Sequence, residues 1–147
     1  MRFSIVTPSF KQLDYLGCCI ASVADQGVTV EHIVQDAGSP GIEEFAEKMA
    51  EQILGRYGGE RVSNLQTFEL LHLRTSHGYT LRIFKEKDEG MYDAINRGLQ
   101  KATGEVCAYL NCDEQYLLGT LRRVADYFGR LPKIDVLFGA AIVVRPD

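Results

Sequence analysis

The amino-acid sequence predicts an α/β fold, a mostly parallel sheet with flanking helices. Three observations predict it. Short runs rich in Val, Ile and Phe alternate with stretches whose apolar residues recur every three or four positions. Such alternation implies parallel strands joined by right-handed helical crossovers. Polar turns follow one strand after another, at 7–9, 36–41, 86–90 and 111–114. The chain has no repeats or low-complexity segments, and its 147 residues suit one domain with a real core.

Residues 2–8 carry Phe3, Ile5 and Val6 and read as a buried first strand, broken by Thr7-Pro8-Ser9. Leu13, Leu16, Ile20 and Val23 recur at helical spacing, so 12–26 form a helix. Residues 28–35 make the second strand around Ile33 and Val34, and Asp36 to Gly41 make a turn. A helix over 42–56 presents Phe45, Met49 and Ile53 on one face and ends at Gly58-Gly59. The stretch 60–79 has no clear period. A short helix around 65–71 and an irregular excursion both fit it. Residues 80–84 are a third strand. Met91, Ala94, Ile95 and Leu99 mark the buried face of a helix over 91–102, with Gly104 just beyond its end. Residues 105–110 are a fourth strand. A helix over 115–128 turns Leu118, Leu121, Val124, Ala125 and Phe128 inward and stops at Leu131-Pro132. Residues 134–138 read as a fifth strand and 141–144 as the start of a sixth.

Composition narrows the function classes. A 46% hydrophobic and 24% charged chain is an ordinary globular protein. The net charge of −4 argues against nonspecific nucleic-acid binding, which needs basic surface to displace counterions. No apolar run approaches the ~20 residues of a membrane span, and Met1 leads straight into a strand rather than a signal peptide. Cys18, Cys19, Cys107 and Cys112 form no C-x-x-C pair. They read as reduced thiols in or near the core, with Cys107 in a buried strand, and point to a reducing, cytoplasmic compartment. His32, His72 and His77 have no metal-ligand spacing, and Tyr79, Phe84, Tyr109 and Phe138 read as core aromatics. Neither a Gly-x-Ser-x-Gly elbow nor a Gly-x-x-x-x-Gly-Lys loop is present, so a nucleotide would need another device.

The chemistry lies in the turns, because open parallel sheets bind ligands beyond the carboxyl ends of their strands. Asp36, before Ala37-Gly38-Ser39, could accept hydrogen bonds from a base or ribose, or it could cap the next helix. Asp88 and Glu89 stand where acids favour a helix N-terminus, and Asp93 and Arg97 have i,i+4 spacing. Asn111-Cys112-Asp113-Glu114 ends an apolar strand. Mg²⁺ and Mn²⁺ take oxygen ligands and often use one or two carboxylates plus substrate phosphates, so Asp113 is the best metal-ligand candidate. It could instead cap the helix near Gln115.

These turns resemble those of the family 2 inverting glycosyltransferases with the GT-A fold. Ile5 to Phe10, with Gln12 and Tyr15-Leu16, resembles that family's opening strand and helix, and Ser22-Val23 and Gln26 match the helix end. Ile33 to Ser39 is similar to its second strand and turn. Asp88 to Gly98 is close to the form in members that build bacterial surface polysaccharides, and Ala102 to Glu105 and Leu110 to Glu114 continue the match. The resemblance implies a nucleotide-diphosphate sugar donor and a sugar or lipid-linked acceptor. It places Thr7, Pro8 and Ser9 along the nucleoside pocket, Asp36 on the base, and Asp88 near base and ribose. Asn111-Cys112-Asp113 falls at the family's Asp-x-Asp position, whose last carboxylate holds Mn²⁺ or Mg²⁺ on the diphosphate. Three departures stand out: Asn111 replaces the first acid, Ala37 replaces the usual glycine, and the stretch between Ser39 and Lys85 is long. Family members are usually longer, with acceptor site and catalytic base in a second half. The expectation is therefore a single donor-binding domain over 1–147 that lacks that half, with no base assigned. It would lie in the cytoplasm, with peripheral association at the inner face of a membrane as a variant. A noncatalytic nucleotide-sugar-binding or interaction module is the alternative.

Overall fold

The computed structural model describes residues 1–145. Four strands run parallel, β1 (Phe3–Ser9), β2 (Val30–Asp36), β5 (Tyr79–Lys85) and β6 (Val106–Tyr109), and two short antiparallel strands, β3 (Glu60–Arg61) and β4 (Glu69–Arg74), extend the sheet. Their order is β3-β4-β5-β2-β1-β6. Four helices complete the chain: α1 (Leu13–Ala24), α2 (Ile42–Tyr57), α3 (Met91–Lys101) and α4 (Thr120–Arg130).

β1 and β2 are buried along their whole length, so the polar residues interspersed with their apolar ones, Ser4, Thr7, Glu31, His32 and Gln35 among them, are buried too. Phe3, Ile5, Val30 and Val34 pack with Leu16, Ile20, Ala46 and Ile53 of α1 and α2 in the main core. Val6, Ile33 and Phe84 make a smaller cluster on the opposite face. There α3 comes so close that a Cβ on Gly98 would lie 2.3 Å from a Val6 methyl. The same face holds buried charges that are paired, as burial demands. Arg82 Nε donates to Glu69 Oε1 at 2.8 Å, and Ser4 Oγ and the Thr103 N–H and hydroxyl donate to Glu31 Oε2. Glu31 thereby anchors the exit of α3, where a Cβ on Gly104 would meet the Ser4 backbone nitrogen at 2.6 Å.

The structure corrects several expectations. The stretch 60–79 contains no helix at 65–71. It holds β3 and the β4–β5 hairpin, turned at Thr75–Gly78. Leu71 and Leu73 face the core with His72 between them, a period of two that the adjacent Leu70 obscures. α4 starts at Thr120 rather than 115, because α1 takes the backbone groups of the preceding segment. Ser22 Oγ accepts the Tyr116 N–H, and Gln26 bonds both the Leu117 carbonyl and the Leu121 N–H. Leu118 is consequently exposed, while Leu121 is buried. On α3, Met91 and Leu99 are exposed and Ala94, Ile95 and Gly98 make the contact face. Residues 134–138 and 141–144 form no strand. Val136 and Phe138 lie in solvent, and β-propensity without a neighbouring ladder does not make a strand. β6 has one face half-buried and the other open, so Cys107 and Tyr109 are exposed rather than core.

Candidate functional site

Strand order decides where a ligand fits. β1 leads through α1 to β2 on one side, whereas β5 leads through α3 to β6 on the other. The topological switch point therefore lies between β1 and β6, and open α/β sheets bind ligands at that point. The register opens it further. β1 stays paired with β2 out to Ser9↔Asp36, but β6 follows β1 only to Val6↔Tyr109. After the Leu110 N–H bonds the Val6 carbonyl at 2.9 Å, the chain turns away. A crevice results, with the Ser9 and Asp36 ends on one wall and the Asn111 turn on the other.

On the first wall Asp36 is fully buried and its carboxylate is taken up by its own turn. Oδ1 accepts the Gly38 N–H at 2.9 Å and the Ser39 N–H at 2.6 Å, and Oδ2 accepts the Ser39 hydroxyl at 2.7 Å. Ser39 Oγ in turn accepts the Lys11 N–H at 2.8 Å, which ties the loop after β1 to the loop after β2. Asp36 does not cap α2, whose N-cap position is Gly41 with no side-chain bond. It builds the turn before it.

The second wall is less complete. Glu114 Oε2 accepts the Asn111 N–H at 3.1 Å, and the Asn111 carbonyl accepts the Glu114 N–H at 3.0 Å. The Asn111 side-chain Oδ1 is buried with no partner, and Ser9 Oγ shares that condition. Buried polar atoms are nearly always bonded, so these two oxygens are the ones at the rim that water or a ligand could complete. Cys112 donates its S–H to Gln12 Oε1 at 2.7 Å. Burial pushes that thiol up, and Asp113 and Asp36 push it further, so both acids lie close to Cys112. Its hydrogen bond turns the thiol toward Gln12, and a soft thiol is in any case a poor match for Mg²⁺. Asp113 itself is exposed, and α4 takes Gly119 rather than Asp113 as its N-cap residue. No three His, Cys, Asp or Glu side chains group into a metal cage among the described residues. The donor set here, Asn111 Oδ1 and the Asp113 carboxylate, is hard oxygen and fits Mg²⁺ or Mn²⁺ only with phosphate oxygens and water completing the shell.

The remaining predicted residues sit differently. Thr7 and Pro8 are buried, and the Thr7 hydroxyl points inward to His32 and Cys19. Asp88 Oδ1 accepts the Gly90 N–H at 3.0 Å and shapes the turn before α3. It meets the first wall only through Glu86, whose N–H bonds the Asp36 carbonyl at 2.9 Å. Asp93 and Arg97 form the expected i,i+4 pair. Two side chains at this rim carried no role from the sequence. Gln12 occupies the N-cap position of α1 yet holds Cys112, a pairing across 100 residues that no local pattern shows. Glu86 joins Gln35, Arg97 and Lys101, and its one local signal was the Arg97/Lys101 spacing on α3. Burial pushes the Glu86 carboxyl up, but the Gln35 hydrogen bond, the Lys101 charge and the bonds from Arg97 and Lys101 outweigh it and leave it below 4.5.

An open, mostly parallel sheet with helices on both faces and a switch point between β1 and β6 defines the class, an α/β domain whose polar turns gather at the carboxyl ends of its strands. Residues 69–144 match the family model described as Glycosyl transferase family 2, and the chain belongs to that family. The PGL/p-HBAD biosynthesis glycosyltransferases of Mycobacterium tuberculosis and Mycobacterium bovis are each 28% identical over 144 residues, covering 96% of this chain and 47% of theirs. The chain thus spans about half the length of the curated relatives it matches. Among solved structures, Staphylococcus aureus TarS 1–349 in complex with UDP-GlcNAc matches with a TM-score of 0.61 at 18% identity, over 88% of this chain and 32% of that one. The mannosyltransferase PcManGT of Pyrobaculum calidifontis, in complex with GDP-Man and Mn²⁺, matches with a TM-score of 0.62 at 17% identity, over 86% of this chain and 32% of that one. At such identities the structural likeness speaks for the fold, which is GT-A.

Proposed function

We propose that this chain is the donor-binding portion of an inverting glycosyltransferase that takes a sugar from a nucleotide-diphosphate sugar with the help of Mn²⁺ or Mg²⁺. The observation that carries this reading is the β1–β6 crevice, where two orphaned oxygens and the exposed Asp113 stand beside the completed Asp36 turn. Ser9 and the Asp36 turn, with Pro8 behind them and Asp88 at the outer edge, would hold the nucleoside; Asn111, Cys112 and Asp113 would face the diphosphate. The cation would be held by the Asp113 carboxylate and the Asn111 side-chain oxygen Oδ1 and would stabilise charge on the leaving nucleoside diphosphate. Inversion further needs a carboxylate to deprotonate the acceptor hydroxyl, a role assigned to none of the described residues. The acceptor is a sugar or lipid-linked chain in polysaccharide or glycoconjugate synthesis, reached in the cytoplasm at a membrane face. No helix among the described residues is long and apolar enough to cross a membrane, and peripheral association at that face is part of the proposal. Calorimetric titration with UDP and with GDP, each with and without Mn²⁺, tests the donor site. Saturable binding that tightens with Mn²⁺ is expected, and a folded sample that binds neither nucleotide would end the reading. Asn111 in place of an acid favours a second reading, a module that binds the donor without transferring sugar. Donor hydrolysis or transfer by this chain would exclude that alternative.

A further inference from the structure

Beneath the crevice runs a line of buried polar side chains, of which only Thr7 was expected at the donor site, and its hydroxyl turns inward. Tyr79 on β5, His32 on β2, Thr7 on β1 and Cys19 on α1 are each at most 3% exposed. The Tyr79 hydroxyl lies 3.1 Å from His32 Nδ1, His32 Nε2 lies 2.8 Å from Thr7 Oγ1, and Thr7 Oγ1 lies 3.7 Å from Cys19 Sγ. Cys19 Sγ then reaches the Asn111 main-chain carbonyl at 3.6 Å. The line crosses three strands and one helix and ends on the turn that carries Asn111 and Asp113.

The direction of the protons follows from the inventory of donors and acceptors. Burial pushes His32 down to about 3, so the ring is neutral and carries one N–H. Burial raises Tyr79, so its hydroxyl keeps its proton, and Cys19 Sγ can meet the Asn111 main-chain carbonyl only as an S–H donor. Each of the four side chains therefore brings one proton to the four links. The Asn111 carbonyl can only accept, so the Cys19 S–H donates to it. Thr7 must then donate to Cys19, His32 Nε2–H to Thr7, and the Tyr79 hydroxyl to the bare Nδ1. Any reversal leaves a buried O–H, N–H or S–H without an acceptor, at a cost of about 1–3 kcal/mol. A chain pointing one way also polarises each bond by the one before it.

We propose that this directed hydrogen-bond chain positions the Asn111–Asp113 turn for a diphosphate and its cation, with His32, Thr7 and Cys19 as positioning residues. It is the counterpart of the outer-shell partners that orient metal ligands and whose removal costs about 10- to 100-fold in metal affinity. Thr7 has no exposed surface, so its hydroxyl does not touch a ligand directly, and this chain links it to the Asn111 turn. The proposal rests on the donor-site reading above for the identity of the ligand, but not for the existence of the chain.

Thr7→Val removes the hydroxyl at nearly constant volume, Thr7→Ser keeps it, and Cys19→Ala removes the last link. Two measurements read the result: UDP and GDP titrations with and without Mn²⁺, and amide NMR of the two turns. Thr7→Val and Cys19→Ala are expected to weaken Mn²⁺-dependent binding about tenfold, at the low end of outer-shell losses, and Cys19→Ala to leave Mn²⁺-independent binding unchanged. Both should move the Asn111–Glu114 amides and leave those of Asp36–Ser39 in place, while Thr7→Ser behaves as the parent. Unmoved Asn111–Glu114 amides in both variants overturn the proposal. So does an equal loss of affinity with and without Mn²⁺ in Cys19→Ala, or equal displacement of both turns, since either is the mark of a general structural defect. If the parent binds neither nucleotide, the donor reading falls and the amide shifts alone decide whether the chain positions the turn.

Discussion

The two walls of the crevice are both short turns at strand ends, and both carry an acid, yet their hydrogen bonding is opposite. The Asp36 turn is closed: every oxygen of the buried carboxylate has a donor, and the turn is tied to the loop after β1. The Asn111 turn is open: its acid is exposed, and its amide oxygen is buried without a donor. On the proposed reading the closed turn would serve by its shape, with a backbone that a ligand meets, and the open turn by oxygens that a ligand would complete. That reading separates residues whose loss should harm the fold from residues whose loss should harm only binding.

Asp36→Ala attacks the closed wall and should have the largest effect. It removes charge-assisted hydrogen bonds to three donors, and bonds to charged groups contribute about 1.5–3 kcal/mol each at most in isolation. Because the three share one carboxylate, we expect a combined loss of about 3 kcal/mol, a large part of the ~5–15 kcal/mol typical of a domain. Stability in urea and nucleotide binding should fall together. Urea unfolding within ~0.5 kcal/mol of the parent, the range of ordinary surface changes, would show that the turn holds its shape without Asp36.

The open wall should behave in the reverse way. Asp113→Ala is expected to leave urea stability within ~0.5 kcal/mol while abolishing the gain in UDP or GDP affinity on adding Mn²⁺. Asn111→Ala sharpens the contrast, because it deletes a buried orphan oxygen. Relief of its desolvation should leave stability equal or raise it by up to ~1 kcal/mol, while Mn²⁺-dependent affinity falls. Asn111→Asp should raise Mn²⁺ affinity by adding charge to the donor set, readable by titration with the metal. Loss of stability in Asn111→Ala would mean that Oδ1 has a protein partner after all and that the wall is closed.

The sequence was most legible where one element answers one local rule. The parallel core strands, α1, α2 and α3 follow from apolar periodicity, and the polar turns at strand ends follow from composition. It was least legible where distant residues decide. The start of α4 depends on Ser22 of α1 and on Gln26 just beyond its end, about 90 residues away. β4 depends on β5 to reveal its alternation, and residues 134–138 look like a strand because Ile, Val and Phe favour a pleated surface that the described fold does not offer there. At the site, the acids were readable and their division of labour was not. Nothing local tells that Asp36 bonds its own turn while Asp113 faces solvent. Nor does Thr7 show, as a letter, that its hydroxyl turns inward to a histidine on the next strand.

Glu86 offers the smallest and most specific test of the contrast. It lies next to the closed wall through its N–H bond to the Asp36 carbonyl, and its carboxylate is satisfied by Gln35, Arg97 and Lys101. Its pKa in the fold is below 4.5. A depressed carboxyl stabilises the fold fully above its unfolded value, and that contribution is lost as pH falls through the lower folded value. Glu86→Gln should therefore cost a little stability at neutral pH and flatten the acid limb of a pH–stability curve below about 4.5, its unfolded value. The partners are partly solvated, so the effect is modest and should shrink in high salt. Urea midpoints across pH for parent and variant measure it. If the two curves run parallel through that window, the Glu86 cluster adds nothing to holding the closed wall, and the Asp36 turn stands on its own hydrogen bonds.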